Sequence, residues 1–220
     1  MKISVFNGSP RGEKSNSTVI NKWLIGGIAD ENNQYIIKDL KKHDEYIDII
    51  ESSEKVIMTF PLYSDGMPGV VMKFFELIYA NKERLAGTEY LFVIHSGFPE
   101  AKHCYGLRDY LINFTEKVDG KLYDVIIYGG SEGTRLAPEK SQKKKSAAFN
   151  SIGLAYAKGQ AIAPADRDRL MKPIQLGKPT QFAFKLLSKT SLLNMYWDSS
   201  LKKNNALDKS FDKPYLNKSE

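Results

Sequence analysis

Cysteine is almost missing from this chain: Cys104 is the only one in 220 residues. A single thiol excludes an internal disulfide and cannot supply a thiolate cluster for zinc or iron–sulfur, which fits a reducing, cytoplasmic setting. Long apolar runs are also missing. No stretch approaches the roughly 20 residues that cross a bilayer, and no charged-then-apolar leader opens the chain. The expectation is a soluble protein made without export and without a membrane partner. Histidine is scarce, with three in the chain, at positions 43, 95 and 103. None sits in a motif that gathers an acid, a base and a nucleophile, so hydrolytic chemistry of the triad kind has no visible machinery. His95 ends an apolar run and reads as a core histidine rather than a proton donor, and Cys104 as inert packing.

Charge is abundant but uneven. The chain holds 32 Lys and Arg against 26 Asp and Glu, a net +6, and residues 161–220 alone hold 11 basic and 6 acidic side chains. A basic tail is ordinarily a solvated surface. No aromatic-and-basic platform or known reading motif accompanies it, so nucleic acid is not expected as a partner.

What the chain has in quantity is alternation. Apolar, strand-like runs at Lys2–Asn7, Tyr35–Leu40, Lys55–Pro61, Tyr90–His95 and Tyr123–Tyr128 are separated by helical stretches. Those stretches are about Ser17–Ala29, Glu45–Ser53, Gly69–Asn81, Ala101–Val118 and Pro138–Lys158. Near-continuous runs such as "VIMTF" and "YLFVI" suit strands buried on both faces of a parallel sheet. The pattern predicts an α/β fold, a doubly wound five-stranded parallel sheet over residues 1–163. Residues 164–220 read as a C-terminal extension, largely helical with a loose tail. Within it Phe182, Leu186, Leu193, Trp197 and Leu201 fall near one helical face.

The loop "GSPRGEKSNS" lies between the first strand and the first helix, where a phosphate is commonly held. It has the length of a nucleoside-triphosphate P-loop, but Glu13 stands where the second glycine belongs. Gly8 and Gly12 have the wrong spacing for a dinucleotide fingerprint. A phosphatase loop would need a cysteine where Asn7 and Gly8 stand. What remains is a set of hydrogen-bond donors, Ser9, Ser15, Asn16 and Ser17, with the fork of Arg11 and a helix N-terminus. Such a set suits a terminal phosphate monoester. Helix capping by Ser15–Ser17 is the competing reading, although one such residue suffices for a cap.

A second loop, "PLYSDGMPG", follows the third strand. Leu62, Tyr63 and Met67 offer an apolar slab, Gly66 a close backbone approach, and Pro61 and Pro68 stiff ends. "GSPRGEKSNS" and "FPLYSDGMPGVVMKFFE", in that order and one βα unit apart, resemble the flavodoxin-like NAD(P)H-dependent FMN oxidoreductases, the quinone, flavin and azo reductase group. The resemblance covers about residues 1–160. It implies that Ser9, Arg11, Ser15, Asn16 and Ser17 hold the FMN phosphate. It implies that Pro61, Leu62, Tyr63, Ser64, Asp65, Gly66 and Met67 run along the isoalloxazine ring. The third loop, "HSGFPEA", ends the fourth strand at the expected switch point of the sheet, making Ser96, Gly97 and Phe98 candidates to touch the flavin. The loop "YGGSEGTR" after the fifth strand reads equally as a plain turn or a ligand border.

The resemblance implies hydride transfer from NAD(P)H through FMN to a small acceptor: a quinone, a nitro or azo compound, or free flavin. No protein side chain need be catalytic, because the flavin carries the chemistry. It also implies a homodimer or larger homo-oligomer. Two other functions remain open on the residues. One is a flavodoxin-type electron carrier, disfavoured because such carriers are typically acidic to match basic partners. The other is a non-catalytic flavin-binding sensor.

Overall fold

A computed structural model describes residues 2–28, 34–39, 42, 45–188, 190 and 194–213. The chain divides into two compact units, Met1–Gln175 and Leu176–Glu220.

The first unit is built on a sheet of strands β1 (Lys2–Asn7), β2 (Gln34–Asp39), β3 (Lys55–Pro61), β4 (Glu89–His95) and β5 (Lys121–Tyr128). They lie in the order β2-β1-β3-β4-β5, joined by four parallel pairings. The strands carry apolar side chains on both faces because helices cover both. On one face Phe6, Met58, Phe60, Phe92 and Ile94 pack against α2 (Tyr46–Glu51), α3 (Gly69–Ala80) and α5 (Tyr105–Lys117). A short α4 (Lys82–Leu85) joins α3 to β4. On the other face Val5, Ile57, Leu91, Val93 and Ile126 pack against α1 (Asn16–Ile28), α6 (Glu139–Lys158) and α7 (Pro164–Met171).

Two glycines set how closely α1 and α6 approach. A Cβ at Gly27 would stand 1.8 Å from the Asn150 carbonyl oxygen, and one at Gly153 would stand 2.2 Å from that of Leu24. The backbones therefore meet where any side chain would collide. The C-terminal half of α6 also anchors the bottom of the sheet. The Tyr156 hydroxyl accepts from Val56 N (3.0 Å) and lies 2.7 Å from Glu89 O as its donor, bridging β3 and β4.

The first unit runs past residue 163. Leu170 of α7 is buried, Arg167 pairs with Asp124 of β5, and Ala101 N and Lys102 N donate to Pro173 O and Ile174 O at 3.1 Å each. The prolines and charges of this stretch hid that packing from the sequence. The second unit contains α8 (Lys178–Leu187) and α9 (Met195–Lys203), two helices where the apolar spacing placed a single face. Phe182, Leu186 and Trp197 are exposed, and Leu193 lies outside the described residues. Among the described residues no helix is long and apolar enough to cross a membrane, and no group of acidic, histidine or cysteine side chains is placed to hold a metal.

Candidate functional site

The loops after β1, β3, β4 and β5 all leave the carboxyl edge of the sheet, beside the point where the strand order reverses between β1 and β3. The first loop is folded around Asn7. Its Nδ2 reaches Gly12 O (3.0 Å), Thr18 Oγ1 (2.9 Å) and Ser15 Oγ (3.2 Å), while its Oδ1 accepts from Ser9 N (3.0 Å). Thr18 Oγ1 donates to Gly12 O, so the proton shared between Ser15 and Thr18 is donated by Ser15. Ser15 Oγ also accepts from Thr18 N at 3.2 Å, as a cap at the start of α1. Ser15 therefore builds the loop and keeps no donor for a ligand.

The other predicted phosphate residues differ in what they keep. Ser9 is buried and its Oγ accepts from Arg11 N at 3.3 Å, which leaves its own proton unassigned. The Arg11 side chain is exposed. Asn16 faces the fifth-strand loop instead: its Nδ2 donates to Ser131 O (2.8 Å) and its Oδ1 accepts from Arg135 N (2.9 Å). Ser17 is buried against His95, Oγ to Nε2 2.8 Å.

His95 joins the loops. Its Nδ1 lies 3.0 Å from Ser131 Oγ, and its carbonyl accepts from Leu62 N at 2.8 Å. Burial pushes its pKa down to about 3, so the ring is neutral at ordinary pH. A neutral imidazole has one donor and one acceptor nitrogen. With the proton on Nε2 the ring donates to Ser17 and accepts from Ser131, and the Ser17 hydroxyl hydrogen is free for a ligand. The opposite tautomer removes it. His95 is thus the satisfied core histidine expected from the sequence, and it also ties three loops together. Cys104 is buried too, and burial pushes its thiol up to about 11.

The second loop closes on itself. Tyr63 and Gly66 exchange backbone hydrogen bonds at 2.9 Å, and Ser64 and Asp65 between them have φ of 48° and 61°. That is a two-residue turn with both central residues left-handed, a conformation Asp and Asn tolerate best after glycine. The strain falls on Ser64 and Asp65 rather than on Gly66, whose missing Cβ would meet only Tyr63 O at 3.8 Å. Gly66 is therefore not required for a close approach within the chain. Pro61 is buried as the last residue of β3, and Leu62 and Met67 are half-buried against the core. Tyr63 is the exposed apolar member, at 45%.

In the third loop Ser96 is buried, its N donating to Tyr128 O (3.0 Å) and its Oγ accepting from Phe98 N (3.1 Å). Gly97 is exposed, and Phe98 is exposed and leans on His103, ring centroids 4.8 Å apart. Ser131 N donates to Ser96 O at 2.8 Å, so the fifth-strand loop belongs to the same assembly. Neither Asn7 nor Ser131 was singled out from the sequence. "NGS" at a strand end is an Asx-turn signal for the first; the second has no local signal.

A wide opening adjoins this edge without lying over it. A groove of about 1050 Å³ runs from the Tyr63–Met67 turn between α3 and α5, with Met72, Tyr79 and Tyr110 exposed along it.

A family model described as the flavodoxin-like fold matches residues 1–119. No curated protein sequence matches the chain. Among solved structures, an NADPH-quinone reductase from P. pentosaceus is similar at 15% identity and a TM-score of 0.55, covering 70% of this chain and 98% of that one. An NADH:FMN oxidoreductase, solved in its apo form, is similar at 16% identity and a TM-score of 0.56, covering 82% and 98%. General stress protein 14 from Treponema denticola, solved in complex with FMN, is similar at 12% identity and a TM-score of 0.51, covering 72% and 98%. Identities this low speak to the fold. With a family match over more than half its length and the strand order that goes with it, this chain belongs to the flavodoxin-like fold family.

Proposed function

We propose that the chain is an FMN-dependent oxidoreductase that takes a hydride from NAD(P)H and passes it to a small acceptor such as a quinone, a nitro or azo compound, or free flavin. One observation carries this reading. Four loops that differ widely in sequence are tied through His95 and Ser131 into a single rim at the switch point of the sheet. The donors left over on that rim fit a phosphate monoester: the Arg11 guanidinium, the Ser9 hydroxyl, and the N–H groups of Asn16 and Ser17 at the start of α1, which have no partner inside the helix. The names of the similar structures, a quinone reductase and an NADH:FMN oxidoreductase among them, support the same class.

FMN, when bound, supplies two-electron chemistry at its own ring, so the protein needs no general acid. The chain's part is to bind and position. Arg11 pairs with the phosphate as a charged fork. The rigid Tyr63–Gly66 turn presents Tyr63 as a flat apolar wall and backbone groups at a fixed height. Phe98 covers the other side of the rim and keeps water from it. His95 stays neutral and holds the Ser17 and Ser131 hydroxyls in place; it does not move a proton to substrate. The groove beside the turn gives an apolar approach for an acceptor. Homodimerisation, or a larger homo-oligomer, belongs to the same proposal, with the exposed apolar residues of α8 and α9 contributing to the contact.

The test is direct. The purified chain is reconstituted with flavin, freed of excess, denatured, and the released flavin is identified by chromatography. NAD(P)H oxidation is then followed with and without a quinone. Recovery of FMN together with acceptor-dependent turnover supports the proposal. Recovery of FAD, or of no flavin, refutes it. Bound FMN without turnover favours the carrier or the sensor.

A further inference from the structure

A second concave surface lies between α1, α6 and the loop that precedes α6. Its volume is about 630 Å³, within the range of small-ligand sites. Four cations line it: Lys22 from α1, Arg135 from the loop, and Lys140 and Lys143 from α6. All four are exposed, and Glu139 is the only acid among the lining residues. Among the described residues none of the four makes an ion pair. Some exposed cations elsewhere do find acids, as in Lys73–Glu76, Arg84 with Asp48 and Glu51, and Lys172–Asp168; what sets these four apart is that they converge on one concave surface. Lys140 and Lys143 stand three apart on one helix, where like charges repel. Setting Lys22 and Arg135 beside them raises that repulsion, and an anion in the groove would relieve it.

The groove also has features that a bare anion does not use. Trp23 forms part of its wall. One side of the indole stacks on Phe149, centroids 5.9 Å apart and planes at 28°, and the residue stays half-buried. Gln142, 8% exposed, lines the same groove, and its Oε1 has no hydrogen-bond partner among the described residues. That oxygen has almost no accessible surface and stays behind the wall, so what the groove offers a ligand is four cations and one indole, which an anionic end and an aromatic face match together.

We propose that this groove binds a nucleoside phosphate, with the phosphate against Arg135, Lys140 and Lys143 and the base against Trp23. A ligand held there uses none of the donors left on the flavin rim, so the site does not rest on the flavin reading. Groove and rim adjoin along the loop after β5, whose Ser131 belongs to the rim and whose Thr134 and Arg135 line the groove, and through Asn16, whose Oδ1 accepts from Arg135 N.

The test uses the full chain carrying Trp197→Phe, which leaves Trp23 as its only tryptophan. AMP, adenosine and inorganic phosphate are titrated separately by fluorescence and calorimetry, with and without saturating FMN. The expected result is saturable quenching by AMP, binding of phosphate or adenosine alone at least tenfold weaker, and no competition from FMN. The double variant Lys140→Gln, Lys143→Gln should weaken AMP at least tenfold, with its circular dichroism and its flavin content unchanged. The proposal is overturned if AMP does not saturate, if the double variant binds it as well as the parent, if phosphate alone binds as tightly as AMP, or if FMN displaces it. Flavin content is measured independently, so failure here and failure of the oxidoreductase reading are told apart.

Discussion

Acidification should loosen the rim of loops at the switch point through a single group. His95 is buried between Ser17 Oγ (2.8 Å) and Ser131 Oγ (3.0 Å), and its pKa is pushed down from 6.5 to about 3 by burial alone. In the unfolded chain the same ring titrates near its ordinary value. Between those two values the unfolded state binds the extra proton and the folded state does not, so stability rises with pH. The contribution is complete above the unfolded pKa and is lost as pH falls through the window below it. At about pH 5 the loss is roughly 1.5 pH units at 1.36 kcal/mol each, or about 2 kcal/mol. That figure holds for any folded pKa well below 5. His95→Gln removes the titration and leaves an amide that can bond both serines. His43, His103 and the carboxylates remain in both proteins and cancel in the comparison. Urea unfolding of the parent and His95→Gln is measured at about pH 7.5 and about pH 5. The parent should lose about 2 kcal/mol more than the variant over that interval. If the two lose the same amount, His95 is not held neutral in the fold and its role as the tie between loops fails with it.

Arg11→Ala should weaken FMN binding by about 1–3 kcal/mol, the range for hydrogen bonds to a charged group; a flavin titration with unchanged affinity would move the phosphate elsewhere. Gly153→Ala should destabilise the first unit by about 1–3 kcal/mol, because its Cβ would lie 2.2 Å from Leu24 O and force α1 and α6 apart. Denaturant unfolding checks this, and a neutral result would mean that the helices separate at no cost. Deletion of residues 176–220 should reduce the assembly to a smaller species while the first unit stays folded, as read by light scattering and circular dichroism. A truncated chain of unchanged oligomeric state would remove α8 and α9 from the contact.

The sheet was legible because its signal is local and redundant. Lys2–Asn7 and Lys55–Pro61 have the same ends in the sequence reading and in the structure, since each is a short apolar run bounded by a turn or a charge. The sequence reading starts β4 and β5 at Tyr90 and Tyr123, one and two residues after their observed starts at Glu89 and Lys121, where polar residues still pair with the neighbouring strand. The helix expected from Ala101 starts as a 3-10 turn over Ala101–Cys104 before α5 begins. The boundary near residue 163 was harder to read. Leu170 is one apolar residue among prolines and charges, and one residue makes no period.

The candidate site was legible in its position but only partly in its chemistry. A run of serines after a strand announces donors, yet it does not say which way each hydroxyl points. Ser15 turns inward to Thr18, Ser17 to His95, and Asn16 across to Ser131 and Arg135, because a loop this tight must first satisfy its own buried polar atoms. Arg11 is too long and too charged to be absorbed that way, and it stays outside. The same logic explains the ring loop. Leu62 and Met67 are apolar enough to be drawn onto the core, while Tyr63, held in a turn by Ser64 and Asp65, is left standing in solvent. Binding groups in such a loop are therefore those that the fold leaves unused. Sequence alone does not separate them, because their partners lie up to 119 residues away, as Arg135 N does from Asn16.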